Sequence, residues 1–139
     1  MLLIVKNLKR SVSGVGGFKM DKDTSIQDVK NYVKKFCEDR DWNQFHSPKE
    51  LAIGLITEAS EVLEHFRFKS EKEMKAFFKD PKKREDIEDE MADVLYFLFR
   101  LAQMYDVDLS EAFKRKMAKN EKNYPIEKSK GSNKKYTEI

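Results

Sequence analysis

Two stretches decide the fold: residues 50–66, ELAIGLITEASEVLEHF, and residues 86–102, DIEDEMADVLYFLFRLA. Each carries apolar side chains at helical spacing. In the first these are Leu51, Leu55, Ala59, Val62, Leu63 and Phe66. In the second they are Ile87, Met91, Val94, Leu95, Leu98, Leu101 and Ala102. Each also holds an acidic pair three residues apart: Glu58 with Glu61, and Glu90 with Asp93. Residues at that spacing share a helix face. At about 100° per residue, Glu58 falls at the edge of the arc made by Leu51, Val62 and Leu55, and Glu61 lies about 60° beyond it. Glu90 and Asp93 stand in the same relation to Leu101, Val94 and Ile87. If the two apolar faces pack together, four carboxylates meet at the border of the core. Such a group cannot stay charged in a partly dry place without a cation. Hard oxygen donors suit Mg²⁺, Mn²⁺ or Ca²⁺, and Mg²⁺ suggests a phosphate substrate.

Working outward, the spacing predicts further helices. Ser25 with Asp28 reads as a capping box opening a helix from Ile26 to about Arg40, with Val29, Val33, Phe36 and Cys37 on its apolar side. A loop with two aromatics follows, Asp41-Trp42-Asn43-Gln44-Phe45-His46. Ser47-Pro48-Lys49-Glu50 then supplies a cap, a proline at the first helical position and a glutamate at the third. That predicts a helix from Pro48 to about Phe66. Ser70 with Glu73 opens a short segment, and Asp80-Pro81 opens a long helix reaching about Tyr105. Asp108 with Glu111 begins the last helix, which Tyr124-Pro125 ends. The fold expected is all-α, a bundle of four to five helices.

Composition agrees. A chain of 139 residues fits one domain. Only five Gly and three Pro interrupt it, which favours helices. A net charge of +3, from 28 basic and 25 acidic residues, does not by itself signal nucleic-acid binding. The single cysteine, Cys37, rules out an internal disulfide. No apolar run is long enough to span a membrane. Residues 1–20 read as a flexible extension or a short added strand, 21–125 as the helical catalytic domain and 126–139 as a basic tail. Lys6, Lys9 and Arg10 come too early for a secretory core, so a cytoplasmic location is the default.

Other chemistries fit less well. A di-iron bundle needs Glu-x-x-His on two helices, yet His65 follows Val62 and His46 follows Asn43 at that spacing. No Walker-type phosphate loop is present. Acidic pairs at the same spacing also occur at Glu61/Glu64 and Glu85/Glu88, and most such pairs are solvated.

Trp42-x-x-Phe45-His46-x-x-Lys49, Glu58-x-x-Glu61, Glu90-x-x-Asp93, and Lys119-Asn120 followed by Tyr124-Pro125 together resemble the MazG-like nucleotide pyrophosphohydrolases, most of all their dCTP pyrophosphatase branch. The resemblance spans about Ile26 to Tyr136. It implies an all-α enzyme completed by oligomerisation, a dimer or tetramer. The enzyme would split a nucleoside triphosphate into monophosphate and pyrophosphate by water attack on the α-phosphorus, with Mg²⁺ (or Mn²⁺) as cofactor. By position, Glu58, Glu61, Glu90 and Asp93 become the metal ligands, with Glu58 or Glu61 taking the proton of the attacking water. Trp42 and His46 lie near the base or sugar, and Tyr96 lines the pocket. Lys116, Lys119 and Asn120 meet phosphates, and Tyr124 closes the site. Two positions depart from the pattern: Phe68 stands where relatives often carry a base-stacking Trp, and Asn123 stands where a basic residue is common.

Two other classes compete. One is a helical interaction module in which the acidic pairs are mere surface charge; the Trp/His loop beside intact pairs argues against it. The other is a nucleic-acid binder using the Lys-rich C-terminal third; diluted charge and the lack of a groove-reading motif argue against that.

Overall fold

The computed structural model describes residues 19–138. The expectation for residues 1–20 therefore lies almost wholly outside the described residues. Among the described residues there are six α-helices: α1 (Ile26–Glu38), α2 (Pro48–Phe66), α3 (Glu71–Phe77), α4 (Pro81–Met104), α5 (Leu109–Asn123) and α6 (Ile126–Ser129). Short 3₁₀ turns occur at Asp21–Asp23, Trp42–Phe45 and Tyr136–Glu138. No strand occurs among the described residues. The all-α expectation holds.

The helix starts follow from the caps. Ser25 and Ser70 each form a complete capping box, with Asp28 and Glu73 respectively. Their cap hydrogen bonds hold both carboxyls below the usual range. Ser47 accepts from the Glu50 amide ahead of α2, and Asp80 accepts from the amides of Lys82 and Lys83 ahead of α4; Pro48 and Pro81 occupy the first turns. α1 stops two residues earlier than the spacing predicts. The amides of Arg40 and Asp41 turn back to Cys37 and Glu38 at 3.2 and 3.0 Å, and Asp41 takes a left-handed conformation, φ 53°. A short polar side chain tolerates that geometry. It turns the chain into the Trp42–Phe45 segment.

The described residues form two compact units, which divide between Tyr105 and Asp106. In the first, α2 packs most extensively against α4, and α1 packs on α4 as well. Leu51, Gly54 and Glu58 are the buried positions of α2; Ile87, Phe97, Arg100 and Ala102 are those of α4. α2 and α4 can approach closely because Gly54 has no side chain. A Cβ there would overlap the Phe97 ring and come 2.6 Å from its Cζ. The buried Phe97 ring therefore fills the space that any other residue at 54 would need.

The packed face of α4 is rotated from the one its apolar pattern suggests. Met91 and Leu95 are exposed, as is Leu63 on α2. From Val94 to Ala102 α4 is apolar on nearly every face, Arg100 excepted, so periodicity alone leaves its inward face undetermined there. The partner at Gly54 selects the stripe through Ile87, Phe97 and Arg100.

In the second unit α5 begins at the Asp108 cap and ends where the Tyr124 amide donates to the Asn120 carbonyl at 2.8 Å. Residues after Pro125 form α6 and then the Tyr136–Glu138 turn, with Tyr124 edge-on to Tyr136 at 5.9 Å.

Candidate metal and nucleotide site

The rotated stripe of α4 carries Glu90 and Asp93 between Ile87 and Phe97, on the packing face rather than beyond its border. Across from it, Glu58 follows Leu51 and Gly54 on the buried face of α2 and is only 5% exposed. Packing these faces brings Glu58, Glu90 and Asp93 together, each with a carboxylate oxygen within 4.8 Å of those of the others. Glu90 and Asp93 are half-buried. The other acidic pairs behave differently. Glu64 pairs with Arg67 at 3.0 Å, and Glu88 with Arg84 at 2.6 Å, on exposed faces. Burial and convergence thus separate the trio from ordinary surface acids.

Glu61 lies one turn beyond Glu58, is half-buried, and is not part of the convergent trio. The four-carboxylate expectation resolves into three gathered groups and one flanking group.

The trio suits a hard divalent ion. All its donors are carboxylate oxygens, without sulfur or imidazole. A spread of no more than 4.8 Å among these oxygens leaves room for one such ion between them. Burying Glu58 beside two further carboxylates calls for positive charge or a proton.

A second cluster lies in the same unit. Trp42 and His46 face each other edge-on at 6.4 Å, and Trp42 meets Phe36 at 5.6 Å. The Arg40 guanidinium covers the Phe36 ring at 3.7 Å. His46 is buried, and its Nδ1 accepts from Arg100 Nε at 2.9 Å. Burial, helped by the Arg100 charge, lowers the His46 pKa from its ordinary value. Tyr96 turns its hydroxyl to Cys37 Sγ at 3.2 Å and packs edge-on against Phe36 and Phe97. Burial raises the Tyr96 phenol well above its usual range, and burial likewise raises the Cys37 thiol. By these contacts Tyr96 ties α1 to α4, and Cys37 is core, as its place on the apolar side of α1 suggests.

At the end of α2 the amide of Lys69 donates to the Phe66 carbonyl at 3.2 Å. Arg67 takes φ −58°, ψ 133°, and Phe68 takes φ 58°. This is the dihedral pattern of a type II turn, whose third position favours glycine. Phe68 nonetheless holds it with 91% of its surface exposed, its ring beside the Arg67 guanidinium at 4.7 Å.

Lys116, Lys119, Asn120 and Tyr124 belong to the second unit. Both lysines are exposed; Asn120 is half-buried and donates to Met117 Sδ at 3.8 Å. Sequence reasoning missed Arg100, Asn43 and Gly54. The available signals were an arginine inside the apolar run VLYFLFRLA and a glycine inside a helix.

The first unit is thus an all-α bundle in which two packed helices gather three carboxylates and an aromatic, histidine-bearing turn joins the first of them to the helix before it. The family model described as MazG-like matches residues 53–139, and the chain belongs to that family. It is 35% identical over 127 residues to rat (Rattus norvegicus) dCTP pyrophosphatase 1, covering 91% of this chain and 75% of that protein. It is 36% identical over 122 residues to the mouse (Mus musculus) dCTP pyrophosphatase 1, covering 88% and 72%. The crystal structure of a pyrophosphatase from Archaeoglobus fulgidus superposes with a TM-score of 0.67 at 34% identity, covering 72% of this chain and 92% of that one.

Proposed function

We propose that this chain hydrolyses dCTP, or a closely related nucleotide, to the monophosphate and pyrophosphate with Mg²⁺ as cofactor and a role in nucleotide-pool housekeeping. Its family and its relatives make it a nucleoside triphosphate pyrophosphohydrolase. The observation that carries the chemical reading is the convergence of Glu58, Glu90 and Asp93 at the α2–α4 contact.

Glu58, Glu90 and Asp93 hold the metal, and Glu61 completes or flanks the set. Bound there, Mg²⁺ supplies neutralisation of phosphate charge and activation of water. Glu61 stands outside the trio and takes the proton from the water that attacks the α-phosphorus; Glu58, buried within the trio, is the alternative base. Lys116, Lys119 and Asn120 meet the phosphates, and cationic side chains there steady the departing pyrophosphate electrostatically. Tyr124 closes over the substrate. Trp42 and His46 receive the base or sugar, with Tyr96 bracing them from beneath through Phe36.

Phe68, separated from Trp42 and His46 by the full length of α2 (19 residues, about 28 Å), serves as a base platform for a nucleotide held by a second copy of this chain. A strained, fully exposed aromatic ring is costly to keep without a use. Phe68→Gly leaves thermal stability unchanged or raises it by up to about 1 kcal/mol, since glycine accepts the conformation freely. The same change raises KM about tenfold, in line with the loss of one stacking contact. A melting curve and steady-state kinetics on one preparation check both halves.

Exposed Ile53, Ile56 and Leu63 on α2, with Met91 and Leu95 on α4, support assembly into a homo-oligomer. No helix among the described residues is long and apolar enough to cross a membrane.

The test is a panel of ribo- and deoxyribonucleoside triphosphates, with and without Mg²⁺, scored by kcat/KM and by product. The expected result is pyrophosphate and monophosphate, metal-dependent, with dCTP among the best substrates. Release of orthophosphate instead, or no turnover of any nucleotide, contradicts the proposal.

A further inference from the structure

Arg100 is the largest fully buried side chain among the described residues, at 1% exposure. A guanidinium in such a place normally meets a carboxylate. Here all three of its hydrogen-bond partners are neutral acceptors. Nε donates to His46 Nδ1 at 2.9 Å, Nη2 to Asn43 Oδ1 and Nη1 to Gln103 Oε1. Asn43 and His46 both belong to the segment around the Trp42–Phe45 turn, so one side chain of α4 grips that segment twice.

The chemistry of the contact settles the imidazole. Arginine only donates hydrogen bonds and does not lose its proton in proteins. His46 Nδ1 must therefore offer its lone pair. In a neutral ring the proton then sits on Nε2. Protonating Nδ1 would set two donors and two cations face to face. Nε2 makes no hydrogen bond to any described residue, which leaves its N–H to a ligand. Arg100 follows Asp93 by two turns of the same helix, about 10 Å along the axis. Both lie on its packed stripe. A nucleotide with its phosphates at the carboxylates reaches that far with its base or sugar.

We infer that Arg100 is a positioning residue that fixes the Trp42–His46 segment on α4 and locks His46 as the neutral Nε2–H tautomer, so that the nucleotide's base or sugar meets a single uncharged donor. This rests on the reading of His46 as a nucleotide-binding residue. A neutral donor selects an acceptor atom, such as a pyrimidine carbonyl or ring nitrogen. A cation there would favour any phosphate.

The full chain has two histidines, His46 and His65, so ¹⁵N-histidine labelling gives two resolvable rings. Long-range ¹H–¹⁵N spectra of the wild type should show His46 protonated at Nε2 and bare at Nδ1, with no mixture. In Arg100→Met the ring becomes a tautomer mixture and takes up a proton at higher pH, and KM for the nucleotide rises about tenfold while kcat changes less than about threefold. Arg100→Lys, which keeps a donor and a charge, restores the tautomer. A wild-type His46 protonated at Nδ1, or a mixture, overturns the inference whether or not the variants fold. So does an Arg100→Met protein with unchanged KM beside a His46→Gln protein with raised KM. An unchanged KM in His46→Gln overturns the underlying reading of His46 instead, and the wild-type spectrum tells the two failures apart.

Discussion

Glu58→Gln lowers kcat/KM by about a thousandfold and leaves the fold intact. The substitution keeps the side chain's shape and removes its charge. Glu58 is nearly buried and faces Glu90 and Asp93, so the amide keeps its packing but weakens the divalent site. The loss of one preorganised electrostatic partner costs about two to three orders of magnitude in rate. Glu90→Gln and Asp93→Asn behave alike because the three act as one unit, so a double variant is little worse than either single one. Thermal melting separates this from misfolding. Mg²⁺ at a hundred times its Kd stabilises the wild type by about 2.7 kcal/mol, and this increment shrinks or disappears in each variant. Near-normal metal-dependent turnover in both Glu58→Gln and Asp93→Asn would mean that the trio is not the reacting centre.

Gly54→Val destabilises the protein by about 3 kcal/mol, and Phe97→Leu on top of it recovers much of that loss. The valine's Cβ already falls inside the space of the Phe97 ring, before its methyl groups are counted. Phe97 is buried between helices and has little room to retreat. Overpacking of this kind costs about 1–3 kcal/mol or more, and a β-branched residue on the helix offers nothing beyond a small gain over glycine in backbone entropy. The separation of α2 and α4 also sets the spacing of Glu58 from Glu90 and Asp93, so Gly54→Val weakens metal binding along with stability. Chemical denaturation of the four members of the double-mutant cycle measures the coupling. Strict additivity would show that the two residues do not share the contact.

The limits of the sequence lie in particular residues. Ser25, Ser47, Ser70, Asp80 and Asp108 mark the helix starts because a cap is a local interaction, complete within four residues. The pairing of α2 with α4 was legible too, since each carries both a hydrophobic face and an acidic pair. Which face turns inward was not. Met91 and Leu95 are as apolar as Ile87, and only the three-dimensional fit of Phe97 over Gly54 decides between them. That rotation moves Glu90 and Asp93 onto the packed face and sets Glu61 apart from the gathered three. Arg100 was illegible for a related reason. A charged residue in an apolar run is ordinarily assigned to solvent, and its neutral partners Asn43 and His46 are more than fifty residues away in the chain. Trp42 and His46 were singled out through family resemblance, whereas the hydrogen bond that Arg100 donates to His46 Nδ1 had no counterpart in the sequence.

Titration of the full chain with Mn²⁺, followed by electron paramagnetic resonance of the free ion, tests the metal centre without reference to any substrate. Wild-type protein should take up Mn²⁺ and release it to excess Mg²⁺. Glu58→Gln, Glu90→Gln and Asp93→Asn should each lose most of that uptake, with Glu64→Gln and Glu88→Gln unchanged. Equal Mn²⁺ uptake by the wild type and all three trio variants would contradict the assignment of these carboxylates to the ion.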